Sequence, residues 1–377
     1  MNFEREAREA TFDFPLVAQE TIEALDDQHA RAQSDYETWK RDLLEWLYFE
    51  GKDPDRLRGY SKDTLRNSNY KIDQVMRWLW NQRGYTTELT PEDADQLMRE
   101  LGRYSEYTDA NLNNFVKVIK RIFAYYNHEK GKGIEWECDL TLNEPSVTNR
   151  DYFKKDEFLA LYEASLAHGT VKHYNACTRK ERKELKSYLA QRYEKPKEEV
   201  GPDDFEEANS MQIPSIVSVS LDCGLRPVEV GRAKVDWVNF EDNTLDIPRE
   251  ESSKNDNNWK CVLSNKSFRA LQTWLEERSS YEKYDGRDEL WLNSKGNPYS
   301  STSLNYLLNQ LIERGGIKPA GRDLSWYSIR HGVATVWADE EKIHDAREQL
   351  RHKKVETTLG YAHSGAASRH NTVNSKW

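Results

Sequence analysis

Long apolar runs are missing from this chain. No segment of its 377 residues approaches the stretch of about 20 apolar residues that a membrane-spanning helix needs, so a soluble protein with no membrane partner is expected. The N-terminal stretch MNFEREAREATFDF alternates charges where a secretory leader would carry a basic patch and then an apolar run, and a cytoplasmic location is expected. Cysteine is scarce. Cys138, Cys177, Cys223 and Cys261 lie far apart and none forms a C-x-x-C pair, which suggests neither a zinc knuckle nor a disulfide framework. Glycine-rich phosphate loops are lacking too: Leu101-Gly102 and Lys130-Gly131-Lys132-Gly133 are too sparse for a Walker-type cradle. Neither a metal nor a nucleotide cofactor is expected.

A basic surplus is also absent. Lys and Arg number 55 against 65 Asp and Glu, a formal net charge of -10. Composition therefore argues against a basic nucleic-acid coat, and any nucleic-acid reading must rest on local basic surfaces. No internal repeat or low-complexity tract is evident.

What is present is a chain long enough for two domains. Apolar residues at helical spacing predict helices over 35–48 (Tyr36, Trp39, Leu43, Trp46, Leu47), 61–80, 90–101 behind Thr90-Pro91-Glu92-Asp93, and 109–130 (Leu112, Phe115, Ile119, Ile122, Phe123, Tyr126). These four make a helical domain over 15–135. The tryptophans Trp39, Trp46, Trp78 and Trp80 read mostly as packing residues. Lys71, Arg77, Lys117, Lys120 and Arg121 are the better candidates for phosphate contacts. The pattern loosens from Gly131 to Arg150, with an interdomain linker over 136–150.

A second domain follows over 151–377. The charged stretch 179–200 reads as a solvated helix and loop, with Lys180, Arg182, Lys183 and Lys186 as candidate DNA-backbone contacts. A helix over 213–221 stops at Gly224, just before Arg226. Short strands are predicted at 237–240, 245–247 and 259–263, the last two enclosing a turn with Lys254. Ser264 caps another helix, and Leu304, Leu307, Leu308, Leu311 and Ile312 mark one more. The fold class is mainly α with a small antiparallel β-sheet.

The segment 323–363 concentrates the chemistry. It puts Tyr327, Arg330 and His331 at a helix start, His352 at a helix-to-loop boundary and Tyr361 nine positions on. Cationic donors, a histidine and a hydroxyl nucleophile in one segment form an inventory for phosphoryl transfer.

Here the chain resembles the tyrosine recombinase/integrase family. Tyr327-Ser328-Ile329-Arg330-His331 is similar to the family's His-x-Leu-Arg-His box, Leu350-Arg351-His352 to Leu-Gly-His, and Thr357-Thr358-Leu359-Gly360-Tyr361 to Thr-Thr-x-x-Tyr. Cys223-Gly224-Leu225-Arg226-Pro227-Val228-Glu229 resembles the first arginine box, usually Thr-Gly-Leu-Arg-x-x-Glu, with Glu229 placed to orient a guanidinium by a bidentate pair. Tyr327 stands where the family usually has His, and Arg351 where it usually has Gly.

The resemblance implies a helical core-binding domain that clamps DNA, a catalytic domain, and site-specific DNA recombination through a 3'-phosphotyrosyl intermediate. Integration or excision of a mobile element is the first expectation. Dimer resolution of chromosomes or plasmids, or a site-specific DNA-binding protein with impaired catalysis, is the alternative. Tyr361 is then the nucleophile. Arg226 and Arg330 clamp the non-bridging oxygens, and His352 hydrogen-bonds the phosphate and helps proton movement. Lys254 protonates the leaving 5' oxygen, with Lys260 as its rival. Tyr327 donates a hydrogen bond, and His331 supports the arginines. The implied partners are double-stranded DNA, further copies of the chain in a tetrameric synaptic complex, and an accessory DNA-bending protein, with nucleoid association on DNA.

Overall fold

The structure is a computed structural model that describes residues 11–26, 28, 31–143, 151–252, 257–339, 343–352, 355 and 358. The chain divides into two compact units, Met1–Thr148 and Asn149–Trp377.

The first unit holds helices α1 (Gln19–Asp26), α2 (Ala32–Phe49), α3 (Lys62–Arg83), α4 (Pro91–Tyr104) and α5 (Asp109–Lys130). Local chemistry sets several boundaries. Thr90 and Asp93 form a reciprocal capping box with Pro91 in the first turn of α4, Thr108 caps α5, and Gly131 ends α5 in a left-handed conformation at φ 58°. The apolar faces of α2, α3 and α5 meet in a core built on Leu43, Leu47, Ile72, Met76, Phe115 and Ile119. Trp39, Trp46 and Trp80 are buried in it. The short α1 has only Thr21 and Leu25 buried, and it packs on α2 and α3. Eight residues do not hold a helix alone, so tertiary contact maintains it.

Two expectations change here. Trp136 does not lie in a loose linker: it packs on the bundle with Ile134, Leu140 and Leu142, and its Nε1 donates to Asp95 at 2.9 Å. Several cations proposed for phosphate already have partners inside the unit. Lys71 sits 3.9 Å from the Phe115 ring centroid, Lys120 pairs with Glu137 at 2.9 Å, and Arg121 donates to Ser68 Oγ at 2.7 Å over the Tyr60 ring. Lys117 is exposed.

The second unit runs α6 (Lys155–Leu166), α7 (Arg179–Arg192), α8 (Pro202–Glu207), α9 (Gln212–Cys223), α10 (Pro227–Arg232), then β1 (Val238–Asn239), β2 (Thr244–Ile247) and β3 (Trp259–Val262). It ends with α11 (Asn265–Arg278), α12 (Ser301–Arg314), α13 (Trp326–Asp339) and α14 (Ile343–Leu350). The strands form an antiparallel sheet in the order β1-β2-β3, with Leu245 opposite Cys261. The apolar helix α9 runs through the centre and packs on α6, α11 and α13. Its start is anchored by the buried Glu277 carboxylate, which accepts from Ser210 Oγ at 2.6 Å, Met211 N–H at 2.7 Å and Tyr281 Oη at 2.7 Å. The helix α7 is not simply solvated, because Leu185, Tyr188 and Leu189 are buried. Lys180 pairs with Asp285, and Arg182 donates to the carbonyls of Tyr174 at 3.1 Å and Cys177 at 3.2 Å. No helix among the described residues is long and apolar enough to cross a membrane.

The first unit also buries an ion pair. Lys40 Nζ pairs with Asp73 Oδ1, which also accepts from Tyr36 Oη at 2.6 Å, while Oδ2 accepts from the Ala18 N–H at 2.8 Å. Burial pulls the Lys40 ammonium down to about 8 against the raising pull of Asp73. Removing one partner of such a pair strands the other, so Asp73→Ala is expected to lower the stability of this unit by about 3–5 kcal/mol in urea denaturation. An unchanged midpoint would show that the pair does not hold the bundle.

Candidate active site

The site is assembled from three chain segments, and the first turns at Gly224. Helix α9 ends there at φ 54°, in the left-handed region that favours glycine. A Cβ at this position would also lie 2.6 Å from Leu350 Cδ2 and 3.4 Å from Arg330 Cγ. The turn therefore brings the end of α9 against both α13 and α14.

Arg226 follows at the N-terminus of α10, with Pro227 in the first helical turn. Its Nη1 donates to Glu229 Oε1 at 2.9 Å, while its own backbone N–H donates to Glu229 Oε2 at 2.8 Å. Glu229 does not form the expected two-bond fork with the Arg226 guanidinium. Its second oxygen is divided between the Arg226 backbone and Arg351 Nη2, also at 2.8 Å. The Arg226 Nε is buried and has no hydrogen-bond partner among the described residues.

Arg330 comes from the first turns of α13. That helix is set by Trp326 N–H donating to Asn305 Oδ1 at 2.8 Å and Ser325 N–H to Ser328 Oγ at 3.1 Å. The buried guanidinium donates through Nη1 to the Gly224 carbonyl at 2.7 Å and through Nη2 to the Leu350 carbonyl. Burial, with the neighbouring Arg351 and Arg226 cations, pulls its pKa down to about 9, which still leaves it charged at neutral pH. Burial raises the Glu229 carboxyl, but Arg351, Arg226 and Arg330 outweigh it and hold it at about 2.

His352 lies just past α14. Its backbone N–H donates to the Arg347 carbonyl at 2.9 Å, and Nδ1 lies 2.9 Å from Thr358 Oγ1. Burial and the surrounding Arg330, Arg226 and Arg351 push its pKa down to about 3. The imidazole is therefore neutral near pH 7. Without a bound anion it has no extra proton to give, which narrows the role expected for it in proton movement.

Tyr327 is half-buried, one helical turn before His331, with the ring centroids 5.0 Å apart. Lys254 and Tyr361 lie outside the described residues, as does Thr357. Lys260, the rival lysine, is exposed and paired with Asp242 at 3.0 Å, out in the strand hairpin. The structure thus brings Arg226, Arg330 and His352 together.

Two residues not singled out for the site support it. Arg351 is buried beneath the Gly224 turn. Gln349 accepts the Val262 N–H at 3.0 Å and donates to the Val262 carbonyl at 2.8 Å and the Asp222 carbonyl at 3.0 Å. Its side-chain amide completes the open edge of β3 and fixes α14 to the sheet. Sequence offers no periodic signal for such a contact, although the departure from glycine at Arg351 marked that position as unusual.

Residues 201–368 match the profile of the phage integrase family. The matched stretch lies within the second unit and is somewhat less than half of the chain. The chain is 31% identical over 105 residues to the tyrosine recombinase XerC of Treponema denticola, a match that covers 25% of this chain and 33% of that protein, so it spans about a third of the relative's length. Among solved structures, the fold is similar to the XerH site-specific recombinase bound to palindromic difH substrate in a post-cleavage complex, at 15% identity and a TM-score of 0.55, covering 94% of this chain and 92% of that one. It is also similar to the Tn1549 transposon integrase in complex with transposon right end DNA, at 13% identity and a TM-score of 0.54, covering 88% of this chain and 98% of that one.

A histidine held neutral by the fold binds no proton where the unfolded chain does. Below the ordinary value of 6.5 the unfolded state takes up more protons, so stability is expected to fall as pH drops from 6.5 toward about 3. His352→Asn should remove that part of the slope. Denaturation midpoints of parent and variant at about pH 7 and about pH 5 check this, and parallel slopes would mean that His352 is not buried neutral.

Proposed function

We propose that this protein is a site-specific DNA recombinase that cuts and rejoins DNA strands through a 3'-phosphotyrosyl intermediate, in the integration or excision of a mobile element. The observation that carries the reading is the convergence of Arg226, Arg330 and His352 from distant chain segments around the buried Glu229, with the Arg226 Nε unpartnered among the described residues. A buried, prearranged set of cationic donors fits a phosphodiester whose negative charge grows during reaction. The solved relatives XerH and the Tn1549 integrase carry DNA, which favours double-stranded DNA as the substrate.

In this reading Tyr361 attacks the scissile phosphorus while its hydroxyl proton passes to the neutral His352, and the 5' oxygen leaves with a proton from Lys254. The bond energy is kept in the phosphotyrosyl ester until the free 5' hydroxyl of the partner strand attacks it. Arg226 and Arg330 hold the non-bridging oxygens. Tyr327 and the neutral His352 complete the hydrogen bonding to phosphate. The helical unit over 15–135 and the catalytic unit over 151–377 grip the DNA together. Exchange takes place in a tetrameric complex assembled in the cytoplasm at the nucleoid, assisted by a DNA-bending protein. Dimer resolution uses the same chemistry. A binding protein with impaired catalysis is the second reading, favoured by Tyr327 at the usual histidine position.

Trapping covalent protein on a nicked suicide duplex separates these readings. Tyr361→Phe is expected to bind DNA as the parent does and to form no adduct; an undiminished adduct would assign the nucleophile elsewhere.

At saturating DNA, Arg226→Lys should slow single-turnover cleavage, because a point charge replaces the planar donor pair. Tyr327→Phe should lose about 1–3 kcal/mol of transition-state stabilisation with binding intact. Parental rates for the phenylalanine variant from about pH 6 to about pH 9 would make Tyr327 a packing residue.

A further inference from the structure

We infer that Arg351 is a positioning residue of this site, a buried guanidinium that sets where the Cys223–Gly224 turn and the Glu229 carboxylate hold Arg226 and Arg330. The inference rests on the recombinase reading above.

The backbone at Arg351 is the first observation. Its φ is 58°, in the left-handed region, at a position where the resembling family usually has glycine. A side chain there strains the backbone in a way that glycine would not. Something in the folded state offsets that cost, and the side chain shows what.

The guanidinium is 0% exposed. Its Nη1 donates to the carbonyls of Cys223 at 2.8 Å and Gln349 at 2.9 Å and to Cys261 Sγ at 3.0 Å. Its Nη2 donates to Glu229 Oε2 at 2.8 Å and to the Gly224 carbonyl at 3.2 Å.

These acceptors are the ones that the phosphate-facing arginines use. The Gly224 carbonyl also receives Arg330 Nη1 at 2.7 Å, and Glu229 Oε2 also receives the Arg226 backbone N–H at 2.8 Å. Arg351 is thus one bond removed from Arg226 through the carboxylate and one bond removed from Arg330 through the carbonyl. It ties the two clamps into one rigid body. A displacement of about 1 Å in such groups is enough to cost about 100-fold in rate.

Arg351 also contributes charge. The groups facing His352 are Arg330 and His331 of α13, Arg226 at the start of α10, Arg351 itself, and Thr358, with Arg347 of α14 bonded to its backbone. Arg351 is among the cations that keep this imidazole neutral.

Full-length Arg351→Lys, Arg351→Met and Arg351→Gly are compared with the parent by two measurements. One is single-turnover cleavage of a nicked suicide duplex alongside DNA affinity. The other is NMR titration of the His352 ring in the absence of DNA, assigned by its loss in His352→Asn.

Arg351→Lys keeps a charge but loses the planar fork. It is expected to leave the His352 titration in place and to slow cleavage about 10–100-fold at unchanged affinity, the usual effect of removing a group that orients the reacting ones. Arg351→Met should slow cleavage as well and move the His352 titration upward. Arg351→Gly relaxes the backbone and is expected not to rescue the rate.

A glycine variant that cleaves at the parental rate, or a methionine variant with His352 unmoved, would overturn the inference and leave Arg351 a space-filling residue. Should the methionine variant fail to fold, the lysine variant decides: folded and as fast as the parent, it overturns the proposal equally. A parent that forms no covalent adduct removes the recombinase reading instead. The His352 titration, which needs no DNA, still reports whether Arg351 acts on the site.

Discussion

A single buried carboxylate holds the arginine centre of the second unit together. Glu229 has no exposed surface, and a carboxylate in such a place is unstable unless opposite charges and donors surround it. Arg226 and Arg351 supply the ion pairs and the Arg226 N–H adds a backbone donor. The dependence also runs the other way. Without Glu229, buried guanidinium groups would face one another, and the Gly224 turn would lose the anchor shared by α10 and the end of α14. The six-residue α10 has little helical stability of its own, so its place is set by this polar hub and by neighbouring packing.

The segments that periodicity and capping describe were legible in the sequence. Helix α5 spans 109–130 as expected because Thr108 caps it and Gly131 terminates it, and the three strands coincide with the predicted runs except that β2 starts one residue earlier, at Thr244. Arg226, Arg330 and His352 were legible because their order and the boxes around them resemble a family, while no one of them stands out alone. Helix α1 was missed because it is only eight residues long and buries just two side chains. The run 134–142 was taken largely for linker because its contacts, such as Trp136 with Asp95, come from the bundle and leave no repeat in the sequence. The partners of Lys120, Lys180 and Arg182 escaped for the same reason: an exposed cation and a paired one look alike until the fold brings their neighbours.

The division of Glu229 between several donors has a consequence for the chemistry that the overall charge of the chain obscures. Its net charge of -10 disfavours approach to DNA, yet three guanidinium groups, Arg226, Arg330 and Arg351, face one carboxylate in the buried centre. They leave a surplus of two positive charges, and His352 contributes none while it is neutral. A phosphodiester carries one negative charge, but attack by a tyrosyl oxygen produces a pentacoordinate species that carries about two. In the proposed reaction the local surplus would therefore match the transition state better than the bound substrate. Charge matched in this way accelerates the chemical step, where charge matched to the ground state would only tighten binding. Low polarity around the buried donors strengthens the effect. A diester bound as proposed should also draw the His352 pKa upward by offsetting the cations that depress it, so under that proposal the site would become a better proton partner only with phosphate present.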